Sequence, residues 1–411
     1  MPSTKLIRPD YSERFRCIGP ACEDSCCVGW GVPIDQAAYE KYRALPPSPL
    51  RILLDENLER TPDDPNPAHF AKVKMPASCA CPLLTEDRLC RIHAELGEDF
   101  LSRTCATYPR IVHSIDDLEE KALTLSCPEA ARLVLLDPGL MTPQPGGHFE
   151  MKWDREIRNA HALLPFFWPI RELVLALVRN RDYTVWQRMF LVGALCRRLD
   201  AAARAESDRG VADVLSSFSA AIAGGTLRSA MEAIPSDPAL QLDMVLRLAG
   251  LCRERSPIGQ RFIDCIESFK QGIGAAQTAT FPMLVAAYSA ACAQFFEPFF
   301  AAHPHMLENY LVNTIFRRQF PFGSKDGRIV EKPETAREFA LLATQFALVR
   351  GLLIGVAGSR KQSFSAQDVV HTVQSATKHF EHHPQFLDQV GELLASSGRD
   401  NAHGLTMLLR N

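Results

Sequence analysis

Cysteines are unusually dense near the start of this chain. Four thiols, Cys17, Cys22, Cys26 and Cys27, fall within eleven positions. A packed core has no need for cysteines so close together, whereas a soft metal ion or an iron–sulfur cluster needs several thiolates that converge on one point. We therefore interpret this stretch as a metal-ligand loop.

Further cysteines follow before residue 128, so nine of the 13 lie in the first third of the chain. These nine candidate metal ligands are Cys17, Cys22, Cys26, Cys27, Cys79, Cys81, Cys90, Cys105 and Cys127. Nine thiols exceed the roughly four that one tetrahedral zinc ion or one cubane cluster takes, which implies two centres or one centre with spare thiols. The other four stand alone in apolar helical surroundings and are expected to be ordinary buried cysteines: Cys196, Cys252, Cys265 and Cys292.

The residue types leave the metal open, because zinc and iron–sulfur clusters both accept thiolates. The Cys79-Ala80-Cys81 pair is tighter than the gap of about two to four residues that is usual in zinc sites, which favours iron–sulfur, with zinc as the alternative. Adjacent side chains diverge in a helix or a strand, so Cys26 and Cys27 are expected to face different surroundings.

Composition and charge are those of a folded protein with a sizeable core. The 411 residues are 46% hydrophobic and 23% charged, and the net charge of -3 gives no electrostatic reason to expect a nucleic-acid partner. The N-terminus lacks the apolar run of a secretory signal, and no stretch reaches the roughly 20 apolar residues that span a bilayer. We therefore expect a cytoplasmic protein without membrane contact, in which clustered thiols are ligands or redox groups rather than disulfides. The oligomeric state is not indicated.

Hydrophobic periodicity predicts a mainly α fold in two parts. Residues 1–137 form a cysteine-rich module of short hairpins and helices, and residues 138–147, rich in Pro and Gly, form a linker. Residues 148–411 contain long segments with a period near 3.6, which predicts an all-α domain. Within it, Asn309 and Asn313 lie away from the apolar stripe of their helix and are expected to face solvent or a substrate.

Turn and cap residues predict the local elements of the first part. Helices are expected over 34–45 and 49–58, each bounded by Pro or a capping residue. A small hairpin over 81–90 would hold Cys81 and Cys90 near each other, and a second hairpin over 111–125 would precede Cys127. Pro128 fits the first position of a further helix.

Several spaced motifs occur in an order that resembles one known family. They are Phe15-Arg16-Cys17 to Cys27, Cys81 to His93, Cys105 to Arg110, Leu125 to Ala131, and Glu308 to Asn313 with Phe320-Pro321-Phe322. Together they resemble the flagellin lysine-N-methylases (FliB), within the wider family of zinc- or iron-chelating cysteine-cluster proteins. The resemblance spans most of the chain.

The resemblance implies methyl transfer from S-adenosylmethionine to lysine side chains of flagellin, with an iron–sulfur cluster, expected as 4Fe–4S, on the N-terminal cysteines. The residues themselves show no methyl-donor site. No Gly-rich turn follows a strand, and Cys22-x3-Cys26 is followed at once by Cys27 instead of by a third cysteine three positions on. The alternative is therefore a non-catalytic zinc- or iron-binding protein that serves as a metal store or a redox sensor.

Methyl transfer to lysine needs one more group. The amine has a reference pKa of about 10.4 and must lose its proton before it attacks, so a base or a desolvating pocket is required. Tyr108 and Tyr310 are candidate bases or amine-orienting groups, and Glu129 and Glu308 are candidate carboxylates. Arg110 is a candidate for binding a cofactor carboxylate, because its planar fork suits bidentate contact.

Overall fold

The fold is known from a computed structural model of the chain. It describes residues 11–29, 31–62, 66–76, 80–115, 118–140, 161–205, 208–253, 259–325, 328–381, 389–393 and 402–410. Within these ranges the protein is mainly helical, and the part that follows residue 161 is helical apart from one two-stranded ribbon. The expected mainly α class is confirmed.

The helices of the first third are short. They are α1 (Tyr11–Arg14), α2 (Gln36–Arg43), α3 (Pro49–Asn57), α4 (Arg91–Leu96), α5 (Arg103–Thr107) and α6 (Pro128–Leu135). The caps explain two of the predicted starts. The Asp35 side chain accepts a hydrogen bond from the Ala38 amide at 3.0 Å and begins α2. Ser48 caps α3 in the same way, with Pro49 at the first helical position.

The strands form three small antiparallel sheets. β1 (Pro33–Ile34), β2 (Leu58–Arg60) and β3 (Ala71–Val73) make a sheet in the order β1-β3-β2. β4 (Arg110–Ile115) pairs with β5 (Leu118–Leu123), which confirms the predicted hairpin. β6 (Ser324–Lys325) pairs with β7 (Arg328–Ile329).

Longer helices build the rest of the chain. They are α7 (Phe167–Arg179), α8 (Val185–Arg204), α9 (Asp208–Ala223), α10 (Arg228–Glu232), α11 (Pro238–Arg253), α12 (Gln260–Gly272), α13 (Phe281–Ala291), α14 (Glu297–Ala302), α15 (His305–Arg318), α16 (Thr335–Arg360), α17 (Ala366–Glu381) and α18 (Ala402–Met407). A π-helical turn, Cys292–Phe296, joins α13 to α14. Short 3-10 turns cover Gly19–Ala21, Pro67–His69, Glu98–Phe100, Leu164–Phe166 and Lys361–Ser363.

Helix α16 is the centre of the helical part. Every residue from Phe339 to Ala357 is buried, and α8, α11, α12, α13 and α17 pack around it. The contact with α12 is so close that a Cβ on Gly272 would overlap the carbonyl oxygen of Gly355. Glycine is therefore required there to let the two backbones approach.

Within the described ranges, two helical stretches are long and apolar enough to cross a membrane, although we expected none from the sequence. One is Thr335–Ser363, whose most apolar window is 100% buried inside the protein. This burial is typical of the core helix of a folded domain. The other is Phe281–Ala302, where 22% of the corresponding window is buried.

The buried residues form two hydrophobic clusters. The smaller one joins the β1-β3-β2 sheet to α2, α3 and α4, with Ile34, Tyr42 and Leu54 at its centre. The larger one contains the helical part together with Tyr11, Phe15, the β4–β5 hairpin and α6. Several residues before position 137 thus share a core with the helices after it. The division at 1–137, 138–147 and 148–411 stays a prediction, because residues 141–160 lie outside the described ranges.

Candidate metal centre

Residues 17–29, here called the cysteine loop, bring two sulfurs into contact. Cys26 Sγ and Cys27 Sγ lie 3.9 Å apart. The expectation that these adjacent side chains would diverge is wrong, because the loop here is neither helix nor strand and a turn can present both sulfurs on one side. Two thiolates at about 2.3 Å from one tetrahedral zinc ion would be separated by about 3.8 Å, so the pair has a spacing that one ion can bridge.

Backbone hydrogen bonds join the cysteine loop to the turn that carries Cys81 and Cys90. The Cys81 amide donates to the Cys27 carbonyl at 2.8 Å, and Val28 forms an isolated bridge with Ala80. A second isolated bridge, between Leu84 and Cys90, closes the turn. The predicted proximity of Cys81 and Cys90 therefore follows from the backbone.

The thiols of this region influence one another electrostatically. The pKa of Cys27 is raised by its hydrogen bond with Cys26, by burial and by the neighbouring Cys81 and Cys105 thiols. Burial, with a contribution from Cys90, Cys26 and Cys81, raises the pKa of Cys105 to about 11. In contrast, the hydrogen bond with Cys27 lowers the pKa of Cys26 to about 7, helped by Lys378. Within this pair the thiolate therefore forms more readily on Cys26 than on Cys27.

Three of the four remaining predicted ligands lie within the described residues. Cys17 is exposed and its Sγ accepts from the Gly19 amide at 3.4 Å, while Cys22 Sγ donates to the Asp24 carbonyl at 3.3 Å. Cys127 is buried at the start of α6, and burial raises its pKa to about 12. Cys79 lies outside the described residues.

The available donors are thiols, and thiolates are the ligands that soft metals and iron–sulfur clusters prefer. Their positions do not amount to an assembled site. Among the residues that the structure describes, no group of three or more His, Cys, Asp or Glu side chains has the arrangement of a metal site. The fit therefore rests on the chemistry of the donors and on the Cys26–Cys27 spacing, and the full ligand set stays a prediction.

The cysteines after residue 128 were predicted to be buried, and those whose side chains the structure describes are buried. Cys196, Cys265 and Cys292 are buried inside the helical part. The side chain of Cys252 lies outside the described residues.

The candidate base Tyr108 lies beside the thiols, whereas Tyr310 lies in the core. Tyr108 Oη is 3.0 Å from Ser126 Oγ, and burial followed by the nearby Cys127 raises its pKa well above the usual value. Tyr310 is 2% exposed, and burial likewise raises its pKa. Both phenols therefore remain protonated near neutral pH.

Arg110 is held by the N-terminal segment. Its guanidinium donates to the Phe15 carbonyl at 3.1 Å and lies over the Phe15 ring, 5.0 Å from the ring centre. The role of Arg110 toward a cofactor stays a prediction, and this carbonyl would have to be exchanged for a ligand carboxylate.

Both candidate carboxylates form ion pairs with arginines. Glu308 is 7% exposed and accepts from Arg181 and Arg188, each at 3.0 Å. Glu129 accepts from Arg132 at 2.8 Å. Both carboxylates are thus engaged in ion pairs within the protein.

Asn309 and Asn313 are structural. Asn309 donates to the Val134 and Asp137 carbonyls at 2.9 and 2.7 Å. Asn313 is 1% exposed and donates to the Leu123 carbonyl at 2.8 Å. The expectation that they face solvent or substrate is wrong, because α15 is surrounded by protein on its polar side as well.

Helix α17 supplies contacts to the cysteine loop that sequence patterns did not reveal. Lys378 Nζ is 2.6 Å from Asp24 Oδ1 and 3.1 Å from the Ser25 carbonyl oxygen. Gln374, one turn earlier, donates to Asp24 Oδ2 at 2.7 Å. Their spacing of four residues places both on one face of α17, but Asp24 lies 350 residues from Gln374 and 354 residues from Lys378 in sequence.

The comparisons with known proteins agree with the motifs. The model of the FliB lysine N-methylase C-terminal domain matches residues 171–408, which is more than half of the chain. The chain belongs to the FliB lysine N-methylase family. The resemblance to the FliB family is thereby confirmed.

The curated relatives carry flagellar and methylase names. The flagellar biosynthetic protein FliU of Salmonella muenchen is 34% identical over 142 residues, which cover 34% of this chain and 83% of that protein. Lysine-N-methylases of Salmonella typhimurium and Salmonella choleraesuis are 34% identical over 142 residues, which cover 34% of this chain and 35% of each relative. The match thus spans about a third of the length of these methylases. No solved structure matches the chain. Membership of the family and the names of these relatives support a protein-lysine methyltransferase.

Proposed function

We propose that this protein transfers methyl groups from S-adenosylmethionine to lysine side chains of flagellin, and that its N-terminal cysteines bind an iron–sulfur cluster of the 4Fe–4S type. The observation that carries the proposal is the match of the FliB lysine N-methylase C-terminal domain over residues 171–408. The flagellar name of one relative supports a flagellar substrate. Clustered free thiols persist in a reducing compartment, so we place the reaction in the cytoplasm.

The chemistry is a displacement at carbon. The lysine ammonium first gives up a proton to solvent water, and its nitrogen lone pair then attacks the methyl group of the sulfonium. The N–C bond forms as the S–C bond breaks, and S-adenosylhomocysteine leaves. Because the free amine is a good nucleophile, the protein has to remove the proton, exclude water and align the two reactants.

Tyr108 is the better placed of the two candidate tyrosines for aligning the substrate amine. Its hydroxyl lies near the thiol group, whereas Tyr310 is enclosed in the helical core. A protonated phenol can orient an amine through a hydrogen bond, and we assign Tyr108 this orienting role. Arg110 would bind the carboxylate of the methyl donor after exchanging its contact with the Phe15 carbonyl.

The residues proposed to hold the metal are the thiols that share one region: Cys26, Cys27, Cys81, Cys90 and Cys105. The other predicted ligands are Cys17, Cys22, Cys79 and Cys127. When bound, a cluster would supply a thiolate-held inorganic centre beside the methyl-transfer site. A zinc ion held by four of the same thiolates is the alternative.

Labelled S-adenosylmethionine and purified flagellin provide the test. We expect anaerobically purified protein to label flagellin, with the label located on lysine by peptide mass spectrometry. A matched flagellin with its lysine amines blocked by acetylation, which ties up the nitrogen lone pair in an amide, should take up no label. Absence of transfer from metal-replete protein to unblocked flagellin would refute the enzymatic proposal.

A non-catalytic zinc- or iron-binding protein, acting as a metal store or redox sensor, is the second candidate. The exposure of Cys17 and Cys26 favours it, because exposed thiols exchange metal and react with oxidants readily. The same assay separates the two, since a store or sensor would bind metal and leave flagellin unlabelled.

A further inference from the structure

An acidic pair lies inside the cysteine loop, between two of its thiols. Glu23 and Asp24 stand between Cys22 and Cys26. Acidic residues beside thiolates are electrostatically unfavourable, because each added negative charge opposes deprotonation of the thiols that must bind a metal. The loop therefore needs compensating cations, and the rest of the chain supplies them.

Helix α17 compensates Asp24. Lys378 Nζ lies 2.6 Å from one carboxylate oxygen, and the amide of Gln374 donates to the other at 2.7 Å. Lys378 and Asp24 are partly shielded, with side chains 13% and 18% exposed, and Gln374 is fully buried. Shielded, charge-assisted hydrogen bonds are stronger than exposed ion pairs. Asp24 is thus fixed at both oxygens.

Lys378 reaches further along the loop than this one carboxylate. Its ammonium also donates to the Ser25 carbonyl at 3.1 Å. Its stem passes Gly29, where an added Cβ would lie 3.7 Å from Lys378 Cε. One side chain therefore contacts the loop on both sides of the Cys26–Cys27 pair.

Two arginines compensate Glu23 from other elements. Arg132 of α6 pairs with it at 2.6 Å, and Arg261 of α12 lies at 3.8 Å. Arg261 also donates to Gln374 Oε1 at 2.9 Å, so its side chain orients the amide that binds Asp24. The acidic pair is held by three helices that belong to the large hydrophobic cluster.

We propose that Lys378, supported by Gln374 and Arg261, is a positioning residue that holds the cysteine loop in its metal-binding conformation and offsets the negative charge of its thiolates. This inference rests on the metal-binding part of the proposed function. Four thiolates around a divalent ion leave a net negative charge, which a neighbouring ammonium stabilises. Residues that orient metal ligands typically change metal affinity by about 10- to 100-fold when they are removed.

The test uses full-length protein in its metal-free state and after titration with Zn²⁺ alone. The variants are Lys378→Met, Lys378→Arg and Asp24→Asn, with Lys270→Met as a matched control, since Lys270 forms an exposed ion pair with Glu267 on α12. Two quantities are measured: the rate at which iodoacetamide alkylates Cys22, Cys26 and Cys27, and the Zn²⁺ dissociation constant by competition with a chromophoric chelator.

We expect both Lys378→Met and Asp24→Asn to weaken Zn²⁺ binding about 10- to 100-fold, because the loop loses its anchor on α17. Alkylation of the loop thiols should become slower in Lys378→Met, since the ammonium no longer stabilises their thiolates, and faster in Asp24→Asn, which removes a negative charge beside them. Lys378→Arg should recover most of the wild-type alkylation rate and most of the Zn²⁺ affinity. Lys270→Met should match the wild type in both measurements. Wild-type alkylation rates and Zn²⁺ affinity in both Lys378→Met and Asp24→Asn would overturn the proposal.

Two further outcomes are informative. If Lys378→Met loses its cooperative thermal transition, Asp24→Asn decides the question, because it leaves α17 intact. If the wild-type protein binds neither Zn²⁺ nor iron, the metal-binding part of the proposed function is wrong. The alkylation rates of the metal-free variants then judge the positioning role separately.

Discussion

The phenol of Tyr11 donates a 2.7 Å hydrogen bond to Asn313 Oδ1 across 302 residues of sequence. The same amide pairs with the backbone of Leu123, accepting from its N–H at 3.3 Å and donating to its carbonyl at 2.8 Å. One buried side chain in α15 thus joins the N-terminal segment and the β5 strand to the FliB C-terminal region. The two parts of the chain are expected to unfold together.

The first prediction concerns this amide. Asn313→Ala would leave three buried polar groups without their partner, each worth about 1–3 kcal/mol, so we expect the free energy of unfolding to fall by about 3 kcal/mol or more. Tyr11→Phe removes one of the three contacts and should cost about 1 kcal/mol. Urea denaturation followed by circular dichroism measures both. Equal losses in the two variants would contradict the bridging role.

The second prediction concerns a buried ion pair. Arg171 and Glu120 are 1% and 3% exposed, and Arg171 Nη2 lies 3.3 Å from Glu120 Oε2. Arg171→Met would take away the arginine that pairs with the buried Glu120 carboxylate. The free energy of unfolding should therefore fall by about 3–5 kcal/mol. Adding Glu120→Gln should restore most of the loss.

The matched control for Arg171 is Arg247→Met, which breaks an exposed pair with Asp243. It should cost about 0–1 kcal/mol in the same denaturation experiment. A double variant as unstable as Arg171→Met alone would show that the charge of Glu120 is not the cause.

The third prediction tests the close approach of α12 and α16. A methyl group on Gly272 would overlap a backbone carbonyl, which cannot move aside as a flexible side chain can. Gly272→Ala should therefore lower the free energy of unfolding by about 1–3 kcal/mol through overpacking. Gly250→Ala, in α11 with no atom within 4 Å of the added group, should be stabilising by about 0.5–1 kcal/mol. A stabilising Gly272→Ala would contradict the packing.

The fourth prediction concerns methyl transfer. Tyr108→Phe removes the hydroxyl that lies 3.0 Å from Ser126 Oγ, and we expect kcat for flagellin labelling to fall about 100-fold while the fold is retained. Tyr310→Phe should leave kcat unchanged, because that hydroxyl is enclosed in the core. Single-turnover labelling gives the two rates. Full activity of Tyr108→Phe would show that the Tyr108 hydroxyl does not orient the substrate amine.

Local signals predicted the elements whose causes are local. Asp35, Pro49 and Pro128 begin helices where capping rules place them, and the β4–β5 hairpin follows from two apolar runs around a polar turn. The β1-β3-β2 sheet escaped prediction because its strands are two or three residues long, too short to show alternation.

Contacts between distant segments were not predictable in the same way. Asn309 and Asn313 have the spacing of a polar helix face, and only the folded chain shows that backbone carbonyls of α6 and β5 cover that face. Lys378 and Asp24 are 354 residues apart, so neither residue carries a local sign of the other. The thiols could be recognised by type and density, whereas their grouping depends on backbone pairing between Cys27 and Cys81.

The most direct measurement is the metal content of anaerobically purified protein, together with its absorption spectrum. We predict a brown protein with about four irons per chain that loses its colour and metal when Cys26 and Cys27 are both replaced by serine. A stoichiometric zinc content would support a thiolate-bound zinc ion in place of the iron–sulfur cluster. Well-folded wild-type protein containing neither metal would contradict the shared centre on which the proposed site depends.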